Sequence, residues 1–218
     1  MRAALAIGVA LAVVPAAAIA AVPYEGEMVE RVPSETQVAL TFDESLGEET
    51  RPILRILRRH DAPSTFFQVG TEVREKPDLA RAIVRQGHEF ANHAWRHRDL
   101  TQSSNPGRSL RRTQRLAQRI TGTTPALFRP PQGQADDRVI GAANRQGMTV
   151  VKWSLAAMDW TLSPEYIVGW VQSELDPGEI VLFHQVQKSR EALPEILRWI
   201  EEQGWEAVPV GELLSGAG

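Results

Sequence analysis

Two histidines four residues apart, His93 and His97 in the run Asn92-His93-Ala94-Trp95-Arg96-His97, follow an acidic pair, Asp43-Glu44, that closes a strand-like run. Imidazole nitrogens and a carboxylate oxygen are ligands that a zinc-like cation accepts, and a catalytic site keeps one position open for water. The other carboxylate could then take that water's proton. By itself the histidine pair equally fits two surface or helix-cap residues. The reading therefore depends on the elements that position the four groups.

Hydrophobic periodicity supplies those elements. Residues 37–42 alternate as a strand, and Ile53, Leu54, Ile56 and Leu57 mark one face of a helix over 48–59. A strand over 64–69 precedes a helix that opens at Lys76-Pro77-Asp78 and stops before Gly87. A short strand covers 88–92, a polar loop 101–107, and an arginine-studded helix 108–120. Strands over 126–129, 148–153, 180–184 and 205–210 alternate with helices over 136–146, 163–175 and 191–203.

Seven such alternations without a linker predict one α/β domain of parallel strands with helices outside, as an open doubly wound sheet or a closed barrel. Asp43 and Glu44 follow the first strand, His93 the third, Arg129 the fourth, Asp159 the fifth and His184 the sixth. All fall at carboxyl ends. Chemistry gathered from the ends of many strands is the habit of (β/α) barrels, whereas an open sheet concentrates its ligands at one crevice.

Five ordered runs resemble the motifs of the NodB-like polysaccharide deacetylases of carbohydrate esterase family 4. They are Ala39-Leu40-Thr41-Phe42-Asp43; Gly87-His88-Glu89 with Asn92-His93 and His97; Phe128-Arg129-Pro130-Pro131-Gln132-Gly133; Trp153 with Asp159-Trp160; and Leu182-Phe183-His184. The resemblance implies a distorted (β/α)7 barrel over residues 37–218 that removes acetyl groups from N-acetylated sugars of a chitooligosaccharide or peptidoglycan type of glycan. It implies that Glu44, His93 and His97 hold a divalent metal, zinc by preference, and that Asp43 is the general base. His184 would protonate the departing amine, with Arg129 orienting Asp43 and Asp159 orienting His184. The backbone N–H of Gln132 would support the acetyl oxygen, and Trp160 and Leu182 would line the substrate site.

Several positions depart from that pattern. Glu44 stands where the family has Asp, and its extra methylene displaces the carboxylate by about 1.5 Å unless loop Ser45-Leu46-Gly47 adjusts. Ala94 lacks a hydroxyl that would brace the histidine loop, Gln132 replaces an aromatic, Gln185 an Asp, and Ala156 an Asp. A non-catalytic glycan-binding or assembly protein on the same scaffold is thus the alternative to a deacetylase.

The remaining residues have plainer readings. His60 is expected as a helix C-terminal cation and His88 as a turn residue. Arg108, Arg111, Arg112, Arg115 and Arg119 read as a solvated helix face, with contact to an anionic glycan as the other option. Most tryptophans should be core, Trp95 and Trp160 being the candidates for stacking on sugar rings.

The first twenty residues combine Arg2, an apolar stretch from Ala3 to Val14, Pro15 and a small-residue end at Ala18-Ile19-Ala20. This pattern predicts a cleaved secretory signal peptide and export to the periplasm or medium, with a retained membrane anchor as the rival, residues 21–36 as a lead-in and no membrane association once cleaved. Residues 1–20 hold one charged side chain, so the remainder carries a net charge of −4 against −3 for the whole chain, which does not favour nucleic acid as a partner. The chain has no cysteine, so disulfides and thiol chemistry are excluded. Oligomeric state is not legible.

Overall fold

A computed structural model describes residues 26–216; the expected signal segment and the first part of the lead-in lie outside them. The lead-in contributes β1 (Met28–Val29), and β2 (Gln37–Asp43) is followed by α1 (Thr50–Arg59) and β3 (Thr65–Gln68). Two helices, α2 (Gly70–Glu75) and α3 (Pro77–Arg85), lead to β4 (Glu89–Asn92). Then come α4 (Pro106–Thr121), β5 (Leu127–Phe128), α5 (Asp137–Asn144), β6 (Thr149–Val151) and β7 (Leu155–Ala156). The chain finishes with α6 (Pro164–Glu174), β8 (Ile180–His184), α7 (Gln187–Glu202), β9 (Glu206–Ala207) and α8 (Val210–Ser215).

The strands lie in the order β1-β6-β5-β4-β3-β2-β8-β7, with β9 beside the start of β2, and every ladder between them is parallel. The path keeps two ends, so the sheet curls as a distorted, open form of the expected (β/α)7 barrel. Side chains alternate across it. Leu40, Phe42, Phe66 and Phe183 pack outward with Ile53, Leu57, Leu193 and Ile196 of the helices. Ala39, Phe67, Ala91, Leu127 and Val151 pack on the other face with Val210, Leu213 and Leu214 of α8.

That last helix corrects an expectation. The strand foreseen over 205–210 is only Glu206–Ala207, because Pro209 turns the chain into α8. Thr65 Oγ1 and Glu89 Oε2 accept the N–H groups of Val210 and Gly211, so α8 is fastened at the amino ends of β3 and β4, opposite the predicted site. The final long helix likewise begins at Gln187 rather than 191, and Pro194 lies inside it. Pro194 satisfies the rule for a first helical turn, which places a sequence-based start too late. His88 is no turn residue: it is buried, and its Nδ1 accepts the Ser64 N–H at 3.2 Å.

Candidate active site

β2 ends on Asp43, which the strand register sets beside Phe67 of β3 and His184 of β8. Two site residues far apart in sequence are therefore level with each other at one edge of the barrel. Arg129, just past β5, is fully buried and reaches the same point. Its Nη1 donates to Asp43 Oδ1 and to Thr41 Oγ1, each at 2.7 Å, and its Nη2 donates to Lys152 O at 2.6 Å. The guanidinium also lies 4.0 Å from the centre of the Phe67 ring. Burial lowers the Arg129 pKa while Asp43 opposes that shift, the balance expected of a buried charge that persists because it is paired. Asp43 is thereby held by one carboxylate oxygen, Oδ1.

Its other oxygen, Oδ2, is 3.8 Å from His93 Nε2. The orientation of His93 follows from its second nitrogen, Nδ1, which is 2.8 Å from the Arg129 carbonyl. A carbonyl only accepts, so Nδ1 carries the proton and Nε2 presents a lone pair to the site. Burial pushes the His93 pKa down, which favours the neutral ring a metal requires. His97 Nε2 is 3.5 Å from Glu44 Oε2, and one ligand atom from each of Glu44, His93 and His97 falls within 4.8 Å of the other two. Ligands of one tetrahedral zinc stand about 3.3 Å apart, a spacing that the Glu44–His97 pair approaches, and the donor types suit such an ion. These are the three residues expected from the sequence.

Glu44 reaches this cluster because the loop after it turns. Glu44 and Ser45 have φ of 32° and 60°, the left-handed region that side chains other than glycine rarely adopt. The strain is held from several sides. Gln185 Nε2 donates to the Glu44 carbonyl, while Thr50 Oγ1 donates to Gln185 Oε1 at 2.8 Å. Glu72 Oε2 accepts the Leu46 N–H at 3.0 Å, and Lys76 Nζ donates to the Leu46 carbonyl. Burial raises the Glu72 pKa against the Leu46 hydrogen bond, with the Glu44 charge adding to the rise. Two departures from the family pattern, Glu44 and Gln185, are thus joined by a hydrogen bond.

On the other side of Asp43, His184 Nδ1 is 2.8 Å from Asp159 Oδ1. Asp159 Oδ2 accepts the His184 backbone N–H at 2.6 Å and the Ser189 hydroxyl. Burial works against the imidazolium, but the hydrogen bond and charge of Asp159, with the Asp43 and Glu44 carboxylates beyond, outweigh it and raise the His184 pKa. Trp160 stands edge-on to His184, ring centres 5.4 Å apart, and is 55% exposed, which leaves one aromatic surface open to a ligand. Leu182, buried in β8, is two residues before His184 and shares its face.

Gln132 is exposed, with φ of 59° in the turn after Pro130-Pro131. Left-handed residues concentrate around the predicted site: Glu44, Ser45, Ala94, Gln132 and Met158 are five of the six non-glycine positions with positive φ among the described residues. Such strain clusters where a fold sacrifices local comfort for orientation. Ala94 needs no hydroxyl, since Asn92 Oδ1 accepts its N–H at 2.9 Å and the Gly70 N–H donates to its carbonyl.

Trp95 does not offer a sugar platform. It is buried under the Arg112 guanidinium, 3.6 Å from the ring centre, and its N–H donates to Ser109 Oγ. Thr41, Thr50, Glu72, Lys76 and Ser189 were not anticipated as members of the site. Their signal is weak because each is a common residue acting through a neighbour; only Thr41, inside a recognised run, could have been found from sequence.

The profile of the polysaccharide deacetylase family matches residues 30–151. The peptidoglycan-N-acetylglucosamine deacetylase PgdA of Listeria monocytogenes is 32% identical over 190 residues, 85% of this chain, which spans only 40% of that protein. A CE4 family pseudoenzyme from Bacillus anthracis superposes with a TM-score of 0.84 at 30% identity, over 87% of this chain and 69% of that one. The peptidoglycan deacetylase PdaC of Bacillus subtilis gives a TM-score of 0.77 at 30% identity, over 83% and 91%.

Proposed function

From the premise that the chain belongs to the polysaccharide deacetylase family, we propose that it is a metal-dependent hydrolase that removes acetyl groups from N-acetylated sugars of a peptidoglycan or chitooligosaccharide type of glycan. The observation that carries this reading is the flanking of one three-ligand cluster by two oriented pairs, Asp43–Arg129 and His184–Asp159. Glu44, His93 and His97 would hold the ion, zinc by preference. A divalent cation there would polarise the acetyl carbonyl and acidify a water molecule.

The chain's own residues supply the proton transfers and the positioning. Asp43, anchored to Arg129 through Oδ1, takes the proton of the attacking water on Oδ2. As charge grows on the acetyl oxygen, the Gln132 backbone N–H donates to it. His184 delivers a proton from Nε2 to the departing amine, while Asp159 fixes the ring by accepting from Nδ1. Trp160 and Leu182 line the space for the sugar. Residues 37–218 constitute the catalytic domain, and residues 1–20 direct export, which accords with relatives named for action on peptidoglycan.

The kinship with a pseudoenzyme favours a second reading, a non-catalytic glycan-binding protein. A mutant of that neighbour has restored enzymatic activity. The test is to measure bound zinc and acetate release from peptidoglycan and chitooligosaccharide. Stoichiometric metal with acetate release supports the hydrolase. Metal-loaded protein that binds glycan and releases no acetate would establish the second reading.

A further inference from the structure

The helix α4 carries Arg108, Arg111, Arg112, Arg115 and Arg119 and no acidic residue. At about 100° per residue the five fall within an arc of roughly 100°, along roughly 16 Å of axis. All are exposed, and among the described residues none forms an ion pair, whereas Arg31, Arg81, Arg129, Arg138 and Arg190 do. Arg112 stacks on Trp95, but like charges three and four apart destabilise a helix, so a stripe with no interspersed acid costs stability. In a chain of net negative charge, this is also a local concentration of the minority sign.

The stripe begins beside the loop that bears His97. A cavity of about 440 Å³, lined by Trp95, Arg96, Arg98, Arg108 and Arg112, lies between the loop that bears His97 and the start of α4, and its one carboxylate, Asp99, is engaged by the Thr101 N–H and hydroxyl. A second cavity of about 630 Å³ shares Arg108 and Arg112 with the first and extends over Arg111, Arg115 and Arg119 with Gln114, Gln118 and Thr124. Building on the deacetylase reading, we propose that the cavity and the stripe bind the carboxylates of an acidic N-acetylated glycan, on the part of the strand extending beyond the sugar in the active site.

Guanidinium forks match carboxylates in a bidentate manner that a compact ammonium cannot reproduce, and the stripe contains no lysine. A helix that lies on a lipid surface needs apolar groups next to its cations. Here the companions are Gln and Thr, while the exposed large apolar residues, Trp160, Tyr166 and Trp170, belong to the segment around α6.

The experiment measures binding, not turnover, with the Asp43→Asn protein, so failure of the deacetylase assignment leaves it interpretable. Hyaluronan oligosaccharides, which alternate N-acetylglucosamine with a carboxylated sugar, are compared with neutral chitooligosaccharides of equal length. We expect hyaluronan to bind about tenfold more tightly at low salt, and the preference to vanish between about 0.01 M and 1 M salt as the screening length shrinks from roughly 30 to 3 Å. Combined R111Q, R115Q and R119Q substitutions should remove that preference and leave chitooligosaccharide binding unchanged; the corresponding lysine variant should keep part of it. Equal affinity for both glycans in the parent would overturn the proposal. So would equal loss of both in the two triple variants, or tighter binding to phosphatidylglycerol vesicles than to hyaluronan.

Discussion

Asp43 has one oxygen committed to Arg129 and the other turned toward His93, which in the proposed mechanism separates anchoring from proton transfer within a single carboxylate. Asp43→Asn preserves shape and should lower turnover by about 10²–10⁴-fold, the range of general acid-base catalysis, with zinc content unchanged; activity near that of the parent would remove Asp43 as the base. The acid has its own signature. Because the His184 pKa is raised above 6.5, its protonated form persists to higher pH, and the rate should fall as pH rises through that raised value. Asp159→Asn removes the dominant support for the imidazolium, so the descending limb of the kcat/KM profile should move to lower pH. A limb that stays in place would assign it to another group. The ten residues assigned to the proposed site were chosen from sequence, yet only some of their contacts were legible there. Ordered runs expose the residues to which the proposed chemistry is assigned; bracing hydroxyls outside those runs, Thr50 and Ser189, leave no distinctive pattern.

At the scale of elements, the seven expected strands and six expected helices are all present, because each combines a period of two or 3.6 with Pro, Gly or Asp at its ends. What sequence missed is short or dictated from outside. β1 and β7 have two residues each and exist through their ladders to β6 and β8, and α2 is a six-residue helix whose first N–H groups donate to the carbonyls of Ala94 and Trp95. The loop from Ser45 to Gly47 is the case with functional weight. Its left-handed backbone is determined by α2 through Glu72 and Lys76 and by Gln185 just before α7, and no local sequence rule contains those partners. If this clamp aims the longer Glu44 side chain, Gln185→Ala should weaken zinc affinity by about 10–100-fold, the scale of outer hydrogen-bond partners, as measured by titration of the metal-free protein. Glu44→Asp in the otherwise unchanged protein tests the geometry directly: with Gln185 present, the shorter carboxylate should bind zinc more weakly than Glu44, since the loop is shaped for the longer side chain. Tighter binding by the Asp variant would show Glu44 to be a compromised ligand.

For the whole molecule, the end of the barrel opposite the candidate site holds two buried titratable groups that should shape how stability responds to acid. His88 and Glu89 are adjacent there, and burial shifts their pKa values in opposite directions. His88 is lowered to about 4 by burial, and its Nδ1 lone pair accepts the Ser64 N–H, so a second ring proton would both charge a buried ring and break that bond. Between about pH 6.5, where the unfolded histidine protonates, and about 4, where the folded one does, the unfolded chain binds the extra proton. Stability therefore rises with pH across that window, and acidification through it should cost on the order of 3 kcal/mol from this residue. Glu89 acts with the contrary sign: with its folded pKa raised, the unfolded carboxyl loses its proton first as pH climbs above 4.5, and stability declines from there toward the folded value. The two slopes partly mask each other in the parent. His88→Asn retains an acceptor for the Ser64 N–H and removes the titration, so the stability difference between parent and variant should shift in favour of the variant by about 3 kcal/mol between pH 7 and pH 4, read from urea unfolding. A difference that stays constant over that range would mean that His88 is protonated in the fold, and that the acid sensitivity of the protein arises elsewhere.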